Sequence, residues 1–264
     1  MLTLLPPAPD PGLAFVANAD AGSVFTMATA GGRSKRVWEG DVLHEVRPDG
    51  TLVVGRGDRV LFLGPDGRAR RAIPLPPGAD NTTAHSCLSP DGRTLAYTTA
   101  DGVWVRPLAG DAKWRTVLSP AAMERRFGEM AWSDDCRIVW SPDGRRLAFS
   151  AAIGPGDGSD YEQSPTVVET DLAGRTVRRR GEGLPVAWTR TGLYVLRRQG
   201  WRVYDAYRLA PSGAATRLGR RVLGGAVSRG RIVMLTDRRS WTAPGVVRIA
   251  GTSKDTDFGI AVGL

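Results

Sequence analysis

Short runs in which apolar and polar residues alternate recur along the whole chain, each opened by a compact polar turn ending in glycine. The clearest is Ser89-Pro90-Asp91-Gly92-Arg93-Thr94-Leu95-Ala96-Tyr97, and a near copy returns as Ser141-Pro142-Asp143-Gly144-Arg145-Arg146-Leu147-Ala148-Phe149. Proline and aspartate set up a tight turn, glycine supplies a positive φ that other residues resist, and the alternating run that follows reads as a strand. Weaker copies begin at Asp10-Pro11-Gly12, Arg47-Pro48-Asp49-Gly50, Thr189-Arg190-Thr191-Gly192 and Val227-Ser228-Arg229-Gly230, so the unit occurs six times. A second glycine follows in each unit (Gly32, Gly67, Gly110, Gly174, Gly213, Gly251), closing a run such as Arg59-Val60-Leu61-Phe62-Leu63 that reads as a third strand turning into a fourth.

The first glycines lie 38, 42, 52, 48 and 38 residues apart. Intervals of roughly 40–50 residues are those of repeats that each form one propeller blade. The predicted fold is therefore all-β, a six-bladed β-propeller of four-stranded antiparallel blades, with blades at about 1–40, 41–78, 79–120, 121–182, 183–221 and 222–264 in a single domain. A β-sandwich also needs many short strands, but it does not require the same two-glycine frame six times over. The closing interval from Gly251 round to Gly12 fits the others, which predicts adjacent termini. Whether the segment Gly259 to Leu264 completes the last blade or crosses to the first is left open by the sequence.

The Ser-Pro-Asp-Gly-Arg-x-Leu-Ala-[Tyr/Phe] core resembles the WD40-like repeat of TolB-type six-bladed propellers, most closely in the third and fourth units. The resemblance implies the fold. It carries little about function, since propellers of this kind serve as protein-binding modules, as gating domains of serine peptidases and as stand-alone domains.

At 264 residues, 42% hydrophobic, the chain can bury a large core, and no segment has the roughly 18 apolar residues of a membrane span. The first residues, Met1-Leu2-Thr3-Leu4-Leu5-Pro6-Pro7, lack the basic region of a signal peptide. The expectation is a cytoplasmic monomer, or an exported one if a leader has been removed. Cys87 and Cys136 fall on the inner strands of neighbouring units, where buried thiols rather than a disulfide are expected. The net charge of +9 raises nucleic acid as a partner, but much of it (Arg68, Arg70, Arg71, Arg175, Arg178, Arg179, Arg180, Arg217, Arg220) falls on predicted outer strands. There it protects exposed sheet edges, so no sequence-specific nucleic acid binding is expected.

Loops over a rigid scaffold are where binding groups are mounted, and three connections are longer than their counterparts. They contain Asp80 to His85, Ala121 to Asp135, and Gly154 to Gln163, and all fall on the face formed by the connections between blades and between the second and third strands, over the third and fourth blades. Candidate binding residues on or near that face are His44, Asn81, His85, Glu129, Trp132, Asp134, Asp135, Asp160, Tyr161, Glu162, Trp201 and Trp241. Their acidic content against a basic rim points to a protein or peptide segment or a small cationic ligand. No cofactor is expected; a divalent metal ion fits the carboxylates, although Asp157-Gly158-Ser159-Asp160 lacks the frame of an EF-hand. Trp140 and Trp188 stand at equivalent strand positions and are expected in the core.

The chain has no G-x-S-x-G nucleophile elbow, P-loop or dinucleotide fingerprint. The leading expectation is thus a ligand- or protein-binding module. The alternative is a small-molecule enzyme, lactonase-, lyase- or hydrolase-like, with His85, Asp134 or Asp135 as catalytic groups at the axial mouth. If those aspartates converge on His85 they raise its pKa, whereas a metal requires its neutral ring.

Overall fold

The computed structural model describes residues 2–5, 14–19, 23–28, 35–39, 42–47, 51–64, 66–79, 84–99, 102–128, 136–151, 165–200, 203–228, 231–236, 245–250 and 258–260. Within them, each repeat is an antiparallel meander. The first four sheets are β1 (Leu2–Leu5), β2 (Ala14–Ala19), β3 (Ser23–Ala28) and β4 (Lys35–Glu39); β5 (Val42–Val46), β6 (Leu52–Arg56), β7 (Arg59–Leu63) and β8 (Ala69–Pro74); β9 (His85–Leu88), β10 (Thr94–Thr99), β11 (Gly102–Pro107) and β12 (Arg115–Leu118); and β13 (Ile138–Trp140), β14 (Arg146–Ala151), β15 (Thr166–Asp171) and β16 (Val177–Glu182). The fifth sheet joins β17 (Leu184–Thr189), β18 (Gly192–Gly200), β19 (Val203–Leu209), β20 (Ala215–Ser228), β21 (Arg231–Thr236), β22 (Gly245–Ala250) and β23 (Phe258–Ile260). The fold is a β-propeller.

The seven-stranded sheet differs from the separate blades expected over 183–264. Its reason is β20, a strand of 14 residues. Ala215 to Val222 pairs with β19, and Val222 to Ser228 pairs with β21, so one continuous strand ends one meander and opens the next. Register shifts in both pairings bend it between its two partners. The last strand, β23, pairs with β22 and so completes its own meander, while β1 pairs with β2. The strands β1, β5, β9, β13, β17 and β20 contact one another in that order, and β20 contacts β1.

The repeated turn closes on its own side chains. In Ser141 to Arg146 the Ser141 hydroxyl donates to Asp143 Oδ1 at 2.6 Å and accepts from Arg146 N at 2.9 Å, while Asp143 Oδ1 also accepts from Arg145 N at 3.1 Å. Ser89, Asp91 and Thr94 repeat the arrangement, with distances of 2.5, 2.9 and 3.0 Å. Gly144 (φ 68°) and Gly92 (φ 71°) take the left-handed position. Thus serine and aspartate recur because together they satisfy backbone donors that the turn removes from the sheet ladder. The serine hydroxyl, and then the backbone N–H, hold both carboxyls below their ordinary pKa.

Alternate residues of each strand serve opposite neighbours. Leu95 and Tyr97 join a cluster with Val53, Val60, Phe62 and Ile73 of the second sheet, whereas Ala96 between them joins Leu147, Phe149 and Val168 of the fourth. Ala148 and Val167, one position out of phase, pack with Leu193, Val195 and Leu209 of the fifth. Each interface is also stitched by polar contacts. Leu88 N donates to Glu45 Oε2 at 2.6 Å, and Trp140 Nε1 donates to Cys87 O at 3.1 Å. Trp140 is buried as expected, and Cys87 and Cys136 are buried and not joined in a disulfide.

The long connection before the fourth sheet, expected as a loop, contains the helix α1 (Pro120–Phe127). Ser119 caps its N-terminus through Ala122 N and proline occupies the first turn, a start signal present in the sequence. Met123 is buried between the third and fourth sheets, and Arg179 of β16 donates to Phe127 O at 3.2 Å. The helix therefore meets the outer strand of the fourth sheet at Arg179.

Ser141→Ala is expected to lower unfolding stability at pH 7 by about 1–3 kcal/mol, the cost of leaving buried hydrogen-bonding groups unpaired. Because Asp143 has a lowered pKa, its contribution is present above the ordinary carboxyl value of 3.8 and is lost as pH falls through the folded value. Urea midpoints of parent and variant should accordingly draw closer below that pH; equal midpoints at pH 7 would remove the turn from the stability account.

Candidate functional site

Of the candidate binding residues, His44 and His85 have described side chains, and they come together. His44 lies on β5 at a register shift in its pairing with β6, and His85 is the first residue of β9. Their rings meet edge to face with centroids 6.0 Å apart, and His44 also packs on Tyr97 at 6.2 Å. His44 is 2% exposed. His85 keeps a partly exposed edge, and its Nδ1 has no hydrogen-bond partner among the described residues.

The His85 pKa is pushed well below the ordinary histidine value, first by burial and then by the positive charge of Arg137 and by His44, against a hydrogen bond to the His44 backbone. The expected convergence of Asp134 and Asp135 on this ring lies outside the described residues; within them, burial and the charge of Arg137 keep the ring neutral. One of its nitrogens can accept a hydrogen bond, take up a proton or ligate a metal. Asn81, Glu129, Trp132, Asp134, Asp135, Asp160, Tyr161, Glu162, Trp201 and Trp241 lie outside the described residues. Among the described residues, no group of three histidine, cysteine or carboxylate side chains could hold a metal ion.

On the opposite, tight-turn face, the sequence reading missed a second constellation. Glu169 of β15 follows Val167 by two positions, so it points into the interface with the fifth sheet, where it is 1% exposed. Arg146 Nη1 and Arg178 Nη2 donate to its Oε1 at 2.8 and 2.6 Å, and Arg180 Nε lies 3.3 Å from Oε2. Arg180 is itself fixed by donating to Pro211 O at 3.0 Å and to Ala210 O at 2.9 Å. Arg178 and Arg180, expected as solvated edge charges, thus turn inward to a buried carboxylate. Trp188, expected in the core, is only partly buried and carries the Arg146 guanidinium 4.9 Å from its ring centroid. The sequence did contain a signal: an acidic residue inside the apolar run Val167-Val168-Glu169, with arginines at alternate positions on the next strand.

No protein-family profile matches the chain, and no curated protein does. Solved structures do. A chain of a nidogen/laminin complex aligns over 98% of this chain and 93% of its own with 13% identity and a TM-score of 0.58. A luciferin-regenerating enzyme aligns over 99% and 94% with 12% identity and a TM-score of 0.56. A putative TolB from Agrobacterium tumefaciens aligns over 87% of both chains with 16% identity and a TM-score of 0.53. The chain spans 41% of the length of a prolyl endopeptidase that it also matches, and 45% of a puromycin-hydrolyzing peptidase from Mycobacterium tuberculosis. At these identities the likeness is one of fold, and the fold is a β-propeller. No helix among the described residues is long and apolar enough to cross a membrane.

A histidine with a lowered folded pKa binds its proton later than the unfolded chain does, so stability falls as pH drops below the ordinary value of 6.5. Between pH 7 and pH 5 the parent should lose more stability than His85→Gln, measured as the shift in urea midpoint. Parallel losses in the two proteins would show that His85 titrates normally.

Proposed function

We propose that the chain is a six-bladed propeller that serves as a protein- or ligand-binding module through its loop face over the third and fourth blades. The blade count is supported by the cyclic contacts of β1, β5, β9, β13, β17 and β20, and by β20 acting as the outer strand of one meander and the inner strand of the next. The proposed blades are 1–40, 41–78, 79–120, 121–182, 183–221 and 222–264.

The binding role rests on one observation. His85 begins an inner strand of the third sheet with a neutral ring whose Nδ1 meets no partner among the described residues, beside the ring of His44. A buried acceptor without a donor costs free energy that an incoming N–H or O–H recovers. A protein or peptide segment laid across the mouth supplies such donors in its backbone, as does a small ligand. A neutral imidazole can also accept a proton, which is the chemistry of the second reading, in which the same mouth hydrolyses or rearranges a small molecule.

With two histidines in the sequence, imidazole nuclear magnetic resonance separates these readings. Arginine- and lysine-rich peptides and a set of simple lactones serve as probes. The module reading expects a saturable shift of the His85 ring signals without turnover; lactone turnover lost in His85→Ala would establish the enzyme, and unmoved His85 signals with every probe would overturn both.

A further inference from the structure

A single carboxylate needs one guanidinium to neutralise it, yet Glu169 holds three. The cavity above them, between the fourth and fifth sheets on the tight-turn face, measures about 360 Å³, within the range of small-molecule sites. Four arginines (Arg146, Arg178, Arg180, Arg190) and two carboxylates (Asp143, Glu169) line it, which leaves two positive charges. Asp143 is already engaged by its own turn through Ser141 and Arg145 N. Pro142, Trp188, Leu193, Leu209 and Pro211 supply apolar wall.

The arginines differ in what they have left to offer. Arg180 is 8% exposed and immobilised by two carbonyls, and its Nε makes no hydrogen bond with Glu169 Oε2 despite their 3.3 Å separation. Both atoms are buried without a hydrogen-bond partner among the described residues. Arg146 and Arg178 are 39% and 49% exposed, each spending one nitrogen on Glu169. Glu169 therefore acts as a buried anchor that holds guanidiniums in fixed positions around an opening, with further N–H donors unspent. Held this way, the donors lose little freedom when a ligand arrives.

We propose that this cavity binds a small dianionic oxyanion, a phosphate monoester whose organic group rests on the apolar wall. A phosphate monoester carries roughly −1.5 to −2 charge at neutral pH, which matches the surplus, and its oxygens accept the forked donors of arginine. Free inorganic phosphate meets the same donors but fills less of the cavity. The site lies on the face opposite the His44 and His85 pair and stands independently of the role given to that mouth.

The test is calorimetric titration of the intact chain with phenyl phosphate and with inorganic phosphate, at low and at physiological salt. The expected result is saturable binding of phenyl phosphate, tighter than that of inorganic phosphate and weakened by salt. Arg178→Ala should weaken it about tenfold or more, and the exposed Arg190→Gln about threefold, with no change in unfolding midpoint for the latter. Arg68→Gln, in the turn before the outer strand of the second sheet, should leave it unchanged. The proposal is overturned by an absence of saturable binding at millimolar ligand, or by equal effects of Arg190→Gln and Arg68→Gln, which would reduce the interaction to unspecific charge. Equal affinity for the two ligands would remove the organic group and leave a site for free phosphate.

Discussion

A four-stranded sheet whose residues are apolar on both faces has nowhere to stand alone. The second strands of the third and fourth sheets obey this constraint, since Leu95 and Tyr97 turn one way and Ala96 the other, and Leu147 and Phe149 oppose Ala148 in the same manner. Burying a leucine or phenylalanine side chain contributes roughly 1.5–3 kcal/mol, so losing either neighbour would expose a stack of such groups at once. Each sheet consequently needs two partners, and a succession of sheets that each need two partners is satisfied without exposed ends only by a ring. The hydrogen bonds from Trp140 to Cys87 and from Leu88 to Glu45 then fix how far one sheet slides past the next.

The features that were legible in the sequence are those enforced within a few residues. Ser141, Asp143 and Gly144 close a turn using only one another and the adjoining backbone, so their spacing survives in the third and fourth repeats. The role of Gly174 is different. It sits at φ 67° with Val117 O only 2.2 Å from where a Cβ would stand, so the second glycine of that repeat marks contact with the preceding sheet as well as a turn. What the sequence concealed was set by neighbours far along the chain. Arg178 and Arg180 looked like edge charges because nothing nearby reveals that the strand opposite carries Glu169. The continuity of β20 was hidden because the frame glycines Gly213 and Gly230 lie on either side of it and carry no information on whether the strand between them is broken. The helix α1 could have been found from Ser119-Pro120, but the frame of repeating strands favoured a loop.

The two faces of the propeller present different chemistry. At the mouth, the described groups around His85 are His44 and Arg137, and their combined effect with burial is a neutral ring. At the tight turns, a buried glutamate organises a positive cavity from arginines of the second and outer strands of its sheet and an inner-strand tryptophan of the next. Repetition explains why such a cavity arises at one interface: where the third and fourth sheets meet, the equivalent space is filled by Leu147, Val105 and Val168, whereas Glu169 replaces hydrocarbon with a charge that must be solvated by arginines.

Mutual burial, the central claim, is tested most directly by equilibrium urea unfolding followed simultaneously by far-ultraviolet circular dichroism, which reports the strands, and by tryptophan fluorescence, which reports their interfaces. If every sheet depends on both neighbours, the two signals must follow one transition with one midpoint. Two separated transitions, with strand signal persisting after the tryptophan environment is lost, would contradict the account by showing that some sheets stand without their neighbours.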